Sequence, residues 1–278
     1  MLLGAQLRRL RESAGVSRDD AGYHIRASGS KISRMELGRV SFKERDVTDL
    51  LEFYGIHDQA ERDKLVQLTK EANATPWYQK FQDVVPDWFH VFVGLEEAAQ
   101  LIRVYEIQFV PGLLQTEDYA RTLLSVHPDV PDEVVSTRLA GRMARQKRLF
   151  DREIPALFLI DQLALYRLVG SPEVMGAQTR HLVTMAGRPR VTIQVVPAVA
   201  VPSVAHGIEL TDSAAYGETI VNGSVWTDED TRSSLGRVFD SLRSEAWRAS
   251  ESLALISEAG ELWTGGNPAT ATAMAGLA

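Results

Sequence analysis

Ser30, Lys31, Ser33 and Arg34 gather two hydroxyls, an ammonium and a guanidinium into one short stretch with no carboxylate among them. Such a set offers hydrogen-bond donors and positive charge. The spacing that displays them is helical: Ile32 and Met35 fall on one side, leaving the four on a largely polar outer face. Ser28 is placed to cap this helix and Gly38 to stop it. A preceding short helix begins after Ser17, whose hydroxyl and the Asp20 carboxylate have capping-box spacing. By spacing alone, this pair also fits an ordinary amphipathic helix pair on the surface of a helical domain.

The segment before it narrows the choice. Leu3, Leu7, Leu10 and Ala14 form an i, i+4, i+7, i+11 stripe that ends at Gly15. Three short helices with these joints make a helix-turn-helix domain. The residues resemble the phage-repressor and xenobiotic-response-element class of that motif, through Arg11, Gly15 and the S-x-S-K-I-S-R-x-E-x-G pattern from Ser28 to Gly38. The resemblance assigns roles. Arg18, first in the second helix, steadies it on a phosphate. Gly29, Ser30 and Arg34 face base edges in the major groove, with Lys31 and Ser33 beside them. Arg34 is the candidate for direct readout, since its fork matches O6 and N7 of one guanine, and a phosphate contact is its competing role. Arg11 and Glu36 correspond to a buried pair tying the first helix to the third. Two positions depart from the pattern: Gly29 replaces a long polar side chain, and Arg26 replaces the usual turn glycine.

Charge is divided along the chain. Residues 1–45 hold ten Lys or Arg against five Asp or Glu, so a net charge of -7 for all 278 residues leaves -12 for the rest. The basic surplus coincides with the motif, as an electrostatic footprint should. With no cysteine there is no disulfide framework, thiolate metal site or thiol nucleophile. No run approaches the roughly 18 apolar residues of a membrane span, and a cytoplasmic location is the expectation.

Further along, helices are expected over 43–54 and 57–74. Trp77, Tyr78, Phe81, Trp88, Phe89 and Phe92 then crowd a short aromatic segment, the composition of a core or an interface. The series W-Y, P-x-W-F, L-E-x-x-A, R-x-Y-E and V-P-G-L-L-Q-T-E-D-Y-A-R, from Trp77 to Arg121, is similar to the C-terminal domain of a large actinobacterial group of regulators. Those pair this type of helix-turn-helix with a conserved domain of unknown role, and some are antitoxin-like with a small protein partner. The likeness runs from about Leu3 to Leu262. The residues themselves suggest a helix over 95–104 with Glu96, Glu97, Gln100 and Arg103 outward, and a turn at Pro111-Gly112. A helix capped by Thr116 follows. Glu106, Gln115, Tyr119 and Arg121 either line a small polar pocket that receives a partner or ligand, or form internal bonds that fix the loop. Arg138, Arg142, Arg145, Lys147 and Arg148 read as a positive face of a helix over 131–150. Strands are expected at 154–161, 191–201, 207–212 and 218–227, the last with an Asn222-Gly223 turn, and one long helix over 228–257.

The fold class expected is mainly α with a smaller β component. A five-helix phage-repressor-like helix-turn-helix domain occupies 1–74, an α+β domain 75–262, and a disordered tail 263–278. No nucleotide loop, H-E-x-x-H or G-x-S-x-G is present, and the six histidines lack metal-ligand spacing. A non-catalytic protein without cofactor or metal is expected. It would be a homodimeric transcriptional regulator of double-stranded DNA whose second domain dimerises and receives a small protein encoded nearby. The alternative is a second domain that senses a small ligand.

Overall fold

A computed structural model describes residues 2–36, 40–73, 77–85, 87–199, 206–218 and 223–265. The chain divides into two compact units, Met1–Trp77 and Tyr78–Ala278. The first is built from five helices, α1 (Leu2–Ser13), α2 (Arg18–His24), α3 (Gly29–Glu36), α4 (Glu44–Phe53) and α5 (Gln59–Asn73). Leu3 and Leu7 of the α1 stripe are buried with Ala21, Ile25, Ile32, Met35, Val47, Leu50, Leu51 and Leu65. The stripe's last member, Ala14, lies exposed in the turn, because the helix has ended and Gly15 takes a φ of 68°.

Local chemistry sets the joints. Ser17 Oγ accepts from the Asp20 N–H at 3.1 Å, and its own hydroxyl donates to Asp20 Oδ2 at 2.6 Å. Only half of a capping box therefore forms, since the carboxylate takes the hydroxyl proton instead of the Ser17 N–H. Ser28 Oγ accepts from Lys31 N at 3.2 Å. Arg26 holds a left-handed φ of 54°, so the turn keeps a conformation that favours glycine even though arginine occupies it. At Gly22, a methyl would fall 2.7 Å from the Ser28 carbonyl carbon. That close approach lets α2 and α3 cross tightly. The helix stop expected at Gly38 lies outside the described residues.

In the second unit, a 3-10 segment (Trp77–Val84) leads to α6 (Asp87–Ala98), β1 (Ile102–Glu106), α7 (Glu117–Leu124), α8 (Asp132–Asp151) and β2 (Ala156–Asp161). Next come α9 (Gln162–Tyr166), α10 (Pro172–Ala186), β3 (Val191–Val196), β4 (Ile208–Thr211), β5 (Ala215–Glu218), β6 (Gly223–Trp226), α11 (Glu229–Glu245) and α12 (Ala249–Thr264). The six strands form one sheet in the order β3-β2-β1-β4-β5-β6. β1, β2 and β3 are parallel, and β4, β5 and β6 join antiparallel. Alternate residues serve two cores. Ile102, Val104, Phe158, Ile160, Ile193 and Val195 pack with α10 and α12, while Tyr105, Leu157, Leu159, Ile208 and Leu210 pack with Phe239 and Leu242 of α11. A strand covered on both faces reads as a continuous apolar run, as ALFLID does in β2. The mainly helical fold with a five-helix first domain and an α+β second domain is thus present.

Three expectations are corrected. The helix over 95–104 stops at Ala98, because Arg152 donates to the carbonyls of Glu96 and Ala99, at 3.1 and 2.5 Å, and Gln100 N turns to Asp212 Oδ1 at 2.7 Å. Ile102 and Val104, alternating with Arg103, then enter the sheet. The helix over 228–257 is two helices. Ala246 is extended, and Trp247 N donates to the Val195 carbonyl of β3 at 3.0 Å, a bond an unbroken helix would forbid. Finally, Trp263 belongs to the core and not to a tail: it is buried, with Nε1 donating to Leu165 O at 2.9 Å. Residues 266–278 lie outside the described residues, as does Asn222, although β5 and β6 on either side pair antiparallel.

Candidate nucleic-acid interface

α3 buries Ile32, Met35 and Glu36 and turns Ser30 and Arg34 to solvent, with Gly29, Lys31 and Ser33 half-buried. The end of α1, the start of α2 and the first turns of α3 enclose an open groove of about 610 Å³, lined by Arg11, Glu12, Arg18, Asp19, Gly29, Ser30 and Ser33. Four of the six candidate DNA-binding residues, Arg18, Gly29, Ser30 and Ser33, therefore share one concavity. Arg34 lies one turn beyond Ser30, on the same side of α3. It makes no hydrogen bond or ion pair with a described residue.

Two residues of that lining, Arg11 and Arg18, meet on the buried Glu36 in an ionic triad. Glu36 accepts from Arg11 through Nε at 2.5 Å and Nη2 at 3.3 Å, and from Arg18 Nε at 3.0 Å. Arg11 also donates to Val16 O at 2.8 Å. The hydrogen bond to Glu36 holds the Arg11 guanidinium pKa above its ordinary value. The Arg18 side chain is 45% exposed, spends its Nε on Glu36 and lines the groove. Glu36 thus holds the cation to which the resemblance gives a phosphate contact.

Lys31 does not join this face freely. Its Nζ lies 2.5 Å from Asp46 Oδ2 of α4, a partner fifteen residues on that helical spacing does not reveal. Gly29 has a packing reason: a Cβ there would sit 2.1 Å from Asp19 Oδ1, so the α2 carboxylate occupies the space a side chain would need. Its contribution to a ligand is through backbone alone.

In the second unit, Gln115 and Tyr119 meet on the Val110 peptide. Gln115 Nε2 donates to Val110 O at 2.7 Å, and the Tyr119 hydroxyl accepts from Val110 N at 3.2 Å. Burial pushes the Tyr119 phenol up to about 12. These are internal bonds that fix the loop before α7. Arg121 is exposed and pairs with Glu117 at 3.2 Å, and Glu106 ends β1 with Gly207 against its carboxylate and in electrostatic reach of Tyr119. The basic run of α8 is likewise no free face. Arg138 donates to Val84 O, Arg142 to Gln115 Oε1, and Arg148 to Glu97, while Lys147 pairs with Asp151. Arg145 is buried between Glu96 and Glu209. Glu96, expected outward, is 2% exposed. The signal missed here was the density of arginines itself, five from Arg138 to Arg152 on one helix and its cap.

Three crossed helices with a donor-rich, exposed third helix beside an open polar groove define a helix-turn-helix DNA-binding module. Residues 2–65 match a family model described as "Helix-turn-helix domain", which supports a DNA-binding regulator. Residues 89–258 match one described as "Domain of unknown function (DUF5753)", and the chain belongs to that family. Comparison with curated proteins and with solved structures found no match. Among the described residues, no helix is long and apolar enough to cross a membrane.

Proposed function

We propose that this chain is a sequence-specific, non-catalytic regulator that binds double-stranded DNA as a homodimer on an inverted repeat. Two α3 helices enter successive major grooves about 34 Å apart. Arg34 reads base edges and Arg18 holds a phosphate, with Ser30, Ser33 and the Gly29 backbone beside them. The observation that carries this is Arg34: exposed and uncommitted, on the same side of α3 as Ser30, which lines the groove Arg18 shares. Lys31, held by Asp46, has the smallest direct part. Tyr23, 86% exposed, and the exposed stack of His24 on Phe53 at 4.2 Å offer apolar surface to a second copy. The C-terminal unit dimerises and receives a small protein; that partner rests on the resemblance of residues 77–121 to antitoxin-like regulators of the xenobiotic-response-element type.

The test is selection of duplexes from a random pool, then binding by two variants. Arg34→Ala loses about 1–3 kcal/mol of discrimination for the selected site over random DNA. Arg18→Ala weakens binding to every duplex alike and lowers the salt slope by about 1. Equal losses on selected and random DNA for Arg34→Ala would remove its base-reading role. A second reading, a C-terminal unit that senses a small ligand, is favoured by the arginine-lined cleft described next.

A further inference from the structure

The C-terminal unit holds a second concavity, lined by more arginines than carboxylates, which duplex reading does not use. Arg103 on β1 and Arg232 and Arg237 on α11 surround a cleft of about 370 Å³, with Gly236, Asp212 and Asp240 among the other residues that line it. That volume lies in the lower part of the range for small-molecule sites.

Two of the three guanidinium groups, Arg103 and Arg232, are positioned, and the third is uncommitted. Arg232 hydrogen-bonds carbonyls, Nη1 donating to Asp212 O at 2.9 Å and Nε to Thr227 O at 3.3 Å, with the exposed Asp228 carboxylate in electrostatic reach. Arg103 lies over the Phe239 ring at 5.5 Å, and its nearest carboxylate, Asp240, is 3.7 Å away and 67% exposed. An ion pair that long and that wet holds its partner weakly. Asp212 spends Oδ1 on the Gln100 N–H. Arg237 makes no hydrogen bond or ion pair with a described residue. Three cations thus line the cleft with two carboxylates, Asp212 and the largely solvated Asp240, while the exposed Asp228 lies in reach of Arg232.

Between them the wall is bare. Gly236 is buried in the middle of α11, where glycine destabilises a helix relative to alanine. A Cβ there would meet Arg103 Nη2 at 3.7 Å, ordinary contact distance, so nothing in the packing demands glycine. What its missing side chain provides is open space beside the guanidinium groups.

We infer that this cleft binds a small molecule carrying a phosphate monoester. The guanidinium fork matches a phosphate through paired N–H donors, and a dianion answers the local excess of positive charge. The inference names a site for the ligand-sensing reading, but it concerns binding alone and stands whether or not the ligand alters DNA affinity.

Titration of the full chain with inorganic phosphate, glucose 6-phosphate and adenosine monophosphate, followed by calorimetry, tests it. At least one organic phosphate is expected to bind more tightly than free phosphate, and Arg237→Ala to weaken it about tenfold, as loss of a charge-assisted bond does. Gly236→Leu fills the cleft while keeping every charge, and is expected to abolish binding. Should it fail to fold, Arg103→Gln together with Arg237→Ala gives the same readout. Arg34→Ala is expected to bind the phosphates as the parent does, which separates this site from the duplex-binding face. Three results would overturn the inference: no binding by any of the three probes, binding unchanged in the Arg237 and Gly236 variants, or loss of duplex binding instead of phosphate binding in Arg237→Ala.

Discussion

Arg145→Ala is expected to destabilise the C-terminal unit by about 3–5 kcal/mol, the cost of leaving buried charges without their partner. Arg145 Nε reaches Glu96 Oε2 of α6 at 2.5 Å, and Nη2 reaches Glu209 Oε2 of β4 at 2.8 Å, so one side chain of α8 ties two other elements. The three side chains are 11%, 3% and 9% exposed, and the guanidinium also lies over Phe89 and Phe92 at 5.7 and 5.3 Å. Without it, the Glu96 and Glu209 carboxyls lose their shared cation and stay in the interior only by holding protons. Even with it, burial pushes the Glu96 carboxyl up to about 8; Arg145 pulls it back and Glu209 adds to the rise. A carboxyl whose folded pKa is raised holds its proton in the folded chain while the unfolded chain has released it. The stability it contributes is therefore fully present below the ordinary value of 4.5 and is lost as pH rises through about 8. Glu96→Gln, which imitates the protonated form, is expected to flatten that decline. Urea unfolding followed by tryptophan fluorescence reads both effects, since Trp88, Trp226, Trp247 and Trp263 all belong to this unit. A midpoint for Arg145→Ala near the parent's would count against the ionic tie. A slope that persists in Glu96→Gln would assign the titration elsewhere.

The same network marks where sequence reading stops. The first unit was legible because its signals are local: the Leu3 and Leu7 stripe, the hydroxyl caps at Ser17 and Ser28, and a turn at Arg26 that keeps its left-handed geometry. The fold class and the polar face of α3 follow from such short-range spacing. Glu96 was not legible. On a helix that is amphipathic by period, a glutamate reads as outward, and what draws it in is an arginine 49 residues later. Lys31 and Asp46, and Gly29 with Asp19, fail for the same reason: the partner is set by helix crossing. The break at Ala246 was hidden because residues on both sides of it favour helix, and only the carbonyl of Val195 on β3 makes the interruption favourable. Charge runs mislead most. Five side chains of α8 that look solvated are spent on acceptors supplied by other segments or, for Lys147, on its own helix.

Glu36→Ala is expected to remove most of the N-terminal unit's stability and, with it, duplex binding of every sequence. Glu36 is 7% exposed and accepts from both Arg11 and Arg18, so its loss strands the buried Arg11 guanidinium with only Val16 O and the exposed Glu12 carboxylate, at 3.4 Å, as partners. Breaking a buried pair on one side costs about 3–5 kcal/mol, against a total of about 5–15 for a typical domain. Arg18→Ala removes the outer member of the triad and leaves the Arg11–Glu36 pair whole, so its effect on stability is expected to be at most about 1 kcal/mol. The two variants therefore separate scaffold from contact. Amide exchange in α1, α2 and α3 is expected to accelerate strongly in Glu36→Ala and barely in Arg18→Ala, while both weaken binding to random duplex. In the double variant the Arg18 change should add almost nothing to the binding already lost, because a guanidinium that Glu36 no longer aims has no fixed place on a phosphate. Full additivity of the two losses would mean that Arg18 finds the duplex unaided, and that the triad holds helices together without orienting the contact.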